Sequence, residues 1–154
     1  MNNYNYIKNY HATAYTNKYI IGVEEDGLVY AYIIELSESG LNFLFSDKPQ
    51  NSKDGIKIKY RSNKDKRKFL LRNCLQAFTI ATIAEFTAMR RTKVNRKGEL
   101  YTENKGECFE WLISEYLHGT QNDKSNVSYQ DGGDITVNGV HYQVKYESAT
   151  IIVG

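Results

Sequence analysis

The 154-residue chain is predicted to be an α+β domain, and three observations lead there. Between His11 and Ile58 the text alternates and is rich in Tyr, Ile and Val, with Glu-Asp-Gly at 25–27 and Glu-Ser-Gly at 38–40 as breaks, which is the pattern of an antiparallel strand meander. From Phe69 to Arg91 apolar residues fall on nearly every side of a helical wheel, as in a buried central helix. The last third combines one amphipathic helical repeat with an Asn-Gly reversal at 138–139, the signature of an α-β-β-β unit closed by a tight hairpin. With 41% hydrophobic and 25% charged residues, one Pro and no low-complexity run, the chain has enough material for a single domain. Disorder, collagen-like repeats and solenoids are excluded. Residues 1–68 form the β-rich subregion and 69–154 the central helix with the C-terminal unit.

The meander reads as strands at 18–24, 28–36, 41–46 and 55–61. Ser62 to Lys68 is a charged connector, and Thr92 to Thr102 a basic, Gly-containing loop. A helix at 105–118 follows, because Phe109, Leu112, Ile113, Tyr116 and Leu117 recur at i, i+3, i+4, i+7 and i+8 and Gly119 supplies a stop. On that wheel Glu110 flanks the apolar stripe, whereas Glu107 and Glu115 lie farther round. Val127 to Tyr129 reads as a short strand. The Asn138-Gly139 turn then fixes register so that residues whose numbers sum to 277 oppose each other. Ile135, Val137, Val140, Tyr142, Val144 and Tyr146 share one face, while Asp134, Thr136, His141, Gln143, Lys145 and Glu147 share the other.

No stretch approaches the roughly 20 apolar residues that span a bilayer, and residues 1–10 are polar, so a soluble, cytoplasmic protein without a membrane partner is expected. Cys74 and Cys108 lie inside apolar helical patterns without a partner spacing, which suits buried thiols in a reducing compartment. Charge is uneven. Residues 57–97 hold thirteen Lys/Arg against Asp65 and Glu85, and the rest of the chain holds seven against sixteen. Such a basic segment suits a polyanion, with Lys59, Arg61, Lys66, Arg67, Lys68, Arg90, Arg91 and Lys93 as candidate phosphate contacts.

Directly opposed Cβ atoms in a hairpin lie about 5 Å apart and diagonal ones about 7–8 Å, so Asp134, Gln143 and Lys145 are able to converge on one small ligand. A carboxylate, an amide oxygen and an ammonium at that spacing suit a hydrated Mg²⁺ that keeps positions for water and phosphate oxygen. An ordinary half-exposed hairpin face is the bland alternative. Lys105-Gly106-Glu-Cys-Phe109-Glu110-x-Leu112, followed by Asp131-Gly-Gly-Asp134-(x8)-Gln143-Val-Lys145, resembles the PD-(D/E)xK nuclease superfamily, and within it the Mrr-like type IV restriction endonucleases and the Holliday-junction resolvases. The resemblance covers residues 105–150.

It implies a restriction-endonuclease-like unit that hydrolyses phosphodiester bonds of DNA with Mg²⁺ or Mn²⁺. In that reading Asp134, Glu110 and Gln143 hold the metal, and Lys145 acts on the attacking water and the transition state. Glu147 is expected to pair with Lys145, and His141 to be a surface residue. The family usually continues with a further helix and strand, but here the chain stops at Gly154. Either the central helix and a strand of the N-terminal meander fill those places in permuted order, or a second subunit does, as a homodimer. The alternative function is a non-catalytic protein on the same scaffold that binds nucleic acid or a host defence complex, such as a phage-encoded inhibitor.

Overall fold

The computed structural model describes residues 17–45, 50–51, 57–58, 63–122 and 133–147. The first hairpin matches the expectation: β1 (Lys18–Glu25) and β2 (Leu28–Glu35) pair antiparallel, joined by Asp26-Gly27 with φ of 51° and 77°. The expected third strand at 41–46 is instead helix α1 (Glu38–Phe45). Ser37 starts it, its hydroxyl accepting the Gly40 N–H at 3.1 Å and its carbonyl the Leu41 N–H at 2.9 Å. Leu41, Leu44 and Phe45 then fall on one side of α1, against the core, so a period of 3.6 prevails over the alternation. Strands β3 (Gln50–Asn51) and β4 (Lys57–Ile58) form a small pair, and the rest of the expected strand at 55–61 lies outside the described residues.

The single buried helix expected at 69–91 is not present. The chain forms α2 (Asn63–Asn73), β5 (Cys74–Thr82) and α3 (Ile83–Met89). An all-round apolar pattern fits a strand as well as a helix, and the β-branched Thr79, Ile80 and Thr82 favour pairing with β2. Thr82 then restarts a helix with a capping box: its N–H donates to the Glu85 carboxylate at 2.8 Å and its hydroxyl accepts the Glu85 N–H at 3.0 Å. Nor is this segment buried throughout, since Leu75 is 69% exposed.

The loop expected at 92–102 is an antiparallel hairpin, β6 (Thr92–Val94) and β7 (Leu100–Thr102). Helix α4 (Lys105–Tyr116) follows as expected, capped by Asn104 through the Glu107 N–H at 2.8 Å. Strands β8 (Thr120–Gln121), β9 (Ile135–Val137) and β10 (Val140–Glu147) complete the described chain, while the strand expected at 127–129 lies outside it.

Six strands make one sheet in the order β5-β2-β1-β10-β9-β8, antiparallel except for the parallel pair β1–β10. Because β1 is central, both its faces are apolar, and Tyr19, Ile20, Ile21 and Val23 are all buried. One face packs Ile20, Val29, Ala31, Ile135 and Val144 against Phe86 of α3 and Cys108, Phe109 and Ile113 of α4. The other packs Tyr19, Ile21, Val23, Tyr32 and Ile34 against Leu44 of α1 and Leu70 of α2. Helix α4 comes this close because β1 carries Gly22, where a Cβ would stand 2.6 Å from the Phe109 and Tyr146 rings. Burying a Phe109-sized side chain stabilises by roughly 2–3 kcal/mol. No helix of the described residues is long and apolar enough to cross a membrane.

Candidate functional site

The Asn138-Gly139 turn forms as expected, with φ of 51° and 79°, and sets the pairs Val140–Val137, His141–Thr136 and Tyr142–Ile135. At the next step the ladder departs from simple opposition. Gly133, at φ 75°, sits where a Cβ would come 2.8 Å from the Tyr142 carbonyl, and the Asp134 N–H donates to that carbonyl at 2.9 Å. The Asp134 carboxylate thereby turns into the sheet and accepts the Val144 N–H at 2.8 Å, leaving the residue 8% exposed. It caps a ladder position that the turn-away at Gly133 would otherwise leave unpaired.

Around it runs a polar network. The Asn122 N–H donates to the Asp134 carbonyl at 2.9 Å and its amide NH₂ to the Gly133 carbonyl at 3.0 Å. The Thr136 hydroxyl donates to the Asn122 amide oxygen at 3.2 Å. The same hydroxyl lies 2.8 Å from His141 Nδ1. His141 is thus half-buried and bonded rather than a plain surface side chain.

Gln143 and Lys145 are assigned to a face by the parallel pairing. Gln143 lies beside Tyr19 and Lys145 beside Ile21, on the face of α1 and α2, whereas Val144 beside Ile20 and Tyr146 beside Gly22 face α4. Asp134, Gln143 and Lys145 therefore belong to one hairpin. Glu110 rides on α4, where its carboxylate accepts the Gln121 amide NH₂ at 3.4 Å, and Gln121 pairs with Ile135, the neighbour of Asp134. Among the described residues Lys145 makes no ion pair, so the expected Glu147–Lys145 pair is not formed.

Of the Mg²⁺ set expected from Asp134, Glu110 and Gln143, one Asp134 oxygen accepts the Val144 N–H, one Glu110 oxygen accepts the Gln121 amide, and Gln143 is neutral. Among the described residues no group of three or more His, Cys, Asp and Glu could hold a metal ion.

The basic residues expected to meet phosphate divide in the same way. Lys59 and Arg61 lie outside the described residues. Lys66 is 8% exposed, and Arg67 donates to Glu25 at 2.7 Å. Only Lys68, with its neighbours Lys64 and Arg72, is exposed on α2.

Arg90, Arg91 and Lys93 are committed to Glu103, a fully buried carboxylate that sequence spacing did not reveal. Arg91 pairs with it at 2.7 Å and Lys93 at 3.5 Å, while Arg90 Nε donates to its carbonyl at 2.6 Å. Lys93 also reaches Glu107 at 3.3 Å, and the Arg91 guanidinium lies 4.3 Å over the Trp111 ring. Burial pushes the Glu103 carboxyl up, but the Arg91 hydrogen bonds outweigh it and hold the carboxyl below its ordinary range. Burial, then Glu103, pushes the Cys108 thiol up to about 11. A second link joins Lys105, the first residue of the family-like motif, to Glu24 of β1 at 2.8 Å. The Tyr146 hydroxyl donates to the same carboxylate at 2.6 Å. No local pattern announces either partner, because Glu24 is 81 residues from Lys105.

Comparison with protein-family models, with curated proteins and with solved structures finds no match to this chain.

Proposed function

We propose that the chain is a cytoplasmic nucleic-acid-binding protein that uses a restriction-endonuclease-like hairpin without cleaving its ligand. The order α4-β8-β9-β10 supports the scaffold, and so does the parallel β1, which borders β10 where the family's trailing strand would come, supplied here in permuted order. The two cysteines, both free thiols, agree with a reducing compartment.

One observation carries the binding function: Lys145, a half-buried residue on the outer hairpin face, makes no ion pair among the described residues. A phosphate oxygen is the partner that position suits, and the exposed Lys64, Lys68 and Arg72 of α2 lie on the same side of the sheet. The reading without cleavage is supported by the Asp134 carboxylate oxygen that the Val144 N–H engages. The test is incubation of plasmid, single-stranded DNA and RNA with Mg²⁺ or Mn²⁺ against EDTA. Expected are retardation that weakens steeply with salt, no cutting, and a loss of about one unit of salt slope in Lys145→Ala.

The second reading, a Mg²⁺-dependent nuclease, is favoured by Asp134, Gln143 and Lys145 standing in family order on two adjacent antiparallel strands. Metal-dependent nicking that disappears in both Asp134→Ala and Lys145→Ala would establish it and overturn the first.

A further inference from the structure

We infer that the β6–β7 hairpin is a ribbon that enters a groove of duplex nucleic acid, a deepening that rests on the nucleic-acid-binding reading above. Its two strands pair only with each other among the described residues. Register settles what each face does. Lys93 and Tyr101 oppose one another on the face that Lys93 ties to Glu103 and Glu107, so the alternate pair Val94 and Leu100 points away from the body. Those two are 60% and 73% exposed, side by side.

The base of the ribbon is rigid. The Glu103 N–H donates to the Arg91 carbonyl at 2.7 Å, and the Arg91–Glu103–Trp111 stack locks this end onto α4.

The tip is rigid as well. Asn95 and Glu99 close it through the Asn95 N–H to the Glu99 carbonyl at 2.9 Å. The Asn95 side-chain oxygen accepts the Lys97 and Glu99 N–H groups, both at 2.9 Å. The Glu99 carboxylate is engaged by the Asn95 amide at 3.2 Å, while Arg96 and Lys97, both exposed, make no ion pair among the described residues.

The occupant follows from charge and shape. A guanidinium and an ammonium at the tip call for a polyanion, and two isolated apolar side chains are too small an area for a stable protein interface. The four steps from Thr92 to Arg96 reach about 13 Å. A B-form major groove is about 12 Å wide and 8.5 Å deep and admits a two-stranded ribbon. Arg96 and Lys97 then meet backbone phosphates or base acceptors, and Val94 and Leu100 lie against base edges and sugar.

The test measures affinity of the full chain for a labelled duplex and for one of its strands, at about 50 and 200 mM salt. The variants are Arg96→Ala with Lys97→Ala, Val94→Ser with Leu100→Ser, and Lys145→Ala. The first pair is expected to lower duplex affinity about tenfold at low salt and to reduce the salt slope by about two. The second should lower duplex affinity several-fold with the slope unchanged, and both should affect the single strand less. Should the apolar pair disturb folding, as its melting midpoint would reveal, the Arg96/Lys97 pair decides alone. Duplex affinity unchanged in the paired variants while Lys145→Ala weakens it would overturn the ribbon and leave the outer-face reading standing. Failure of the wild type to bind either form of DNA would overturn both.

Discussion

The β9–β10 hairpin presents two faces made by the same strands, and they behave differently. Toward α4 it offers Ile135, Val144 and Tyr146, packed under Phe109 and Ile113, with the Tyr146 hydroxyl committed to Glu24. On the other side it offers Thr136, His141, Gln143 and Lys145, all half-exposed, the first two held to each other by a hydrogen bond. The charged residues of the α4 side are numerous, but they neutralise one another: Glu103 with Arg91 and Lys93, Glu24 with Lys105. A count of cations therefore says little about binding until the geometry shows which of them lack an internal partner.

The comparison is most exposed at Phe109. If the α4 side is the structural one, Phe109→Ala should destabilise by about 3–5 kcal/mol, since it opens a cavity against Gly22 and Tyr146 where neither strand can follow. Urea unfolding checks it, and a loss below about 1 kcal/mol would mean that this face is not packed as described.

Next in size is the buried carboxylate. Glu103→Gln should lose about 1–3 kcal/mol, because Arg91 and Lys93 are each partly exposed and can be rehydrated once their partner is gone. Acid sharpens the point. The Glu103 carboxyl is held below its ordinary 4.5, so its contribution is complete above that value and disappears as pH falls through the folded-state value. Wild type should lose stability on acidification below about pH 4.5, and Glu103→Gln should show a shallower decline over the same range. Equal slopes would remove Glu103 from the account.

On the outer face Asp134 is a structural acceptor before it is anything else. Asp134→Ala leaves the buried Val144 N–H unpaired and should cost about 1–2 kcal/mol, with Asp134→Asn, which keeps an acceptor oxygen, costing less. Alanine and asparagine variants as stable as wild type would show that the carboxylate is held for chemistry instead, and would favour the nuclease.

These residues also mark where sequence was legible. Asn138-Gly139 sets its own turn through local backbone preference, so the hairpin register and the face assignment of Gln143 and Lys145 follow directly from text. The amphipathic period of α4 is equally local. Two errors came from letting a long apolar run outweigh short signals inside it. Thr82-Ile-Ala-Glu85 is a helix start, and it lay in the middle of what the wheel read as one helix. Glu38-Ser39-Gly40, which reads as a break, is likewise the first turn of a helix that Ser37 starts. The position of Glu110 was not legible at all: the wheel shows that it flanks the apolar stripe, but the side of the sheet to which α4 docks is decided by Gly22, nearly ninety residues earlier. The partners of Arg91 and Lys105 depend on the same tertiary docking.

The smallest expected change in stability is the most informative about function. Lys145→Met keeps an aliphatic stem and removes an ammonium that has no ion pair among the described residues. A residue placed for folding would lose stability on this change. One placed for a ligand should leave the urea midpoint unchanged, within about 0.5 kcal/mol, because no ion pair is lost. Nucleic-acid affinity should fall in the same variant and lose part of its salt dependence. Stability lost with affinity intact would make Lys145 a structural residue and leave the outer face without its one positively charged contact on the hairpin.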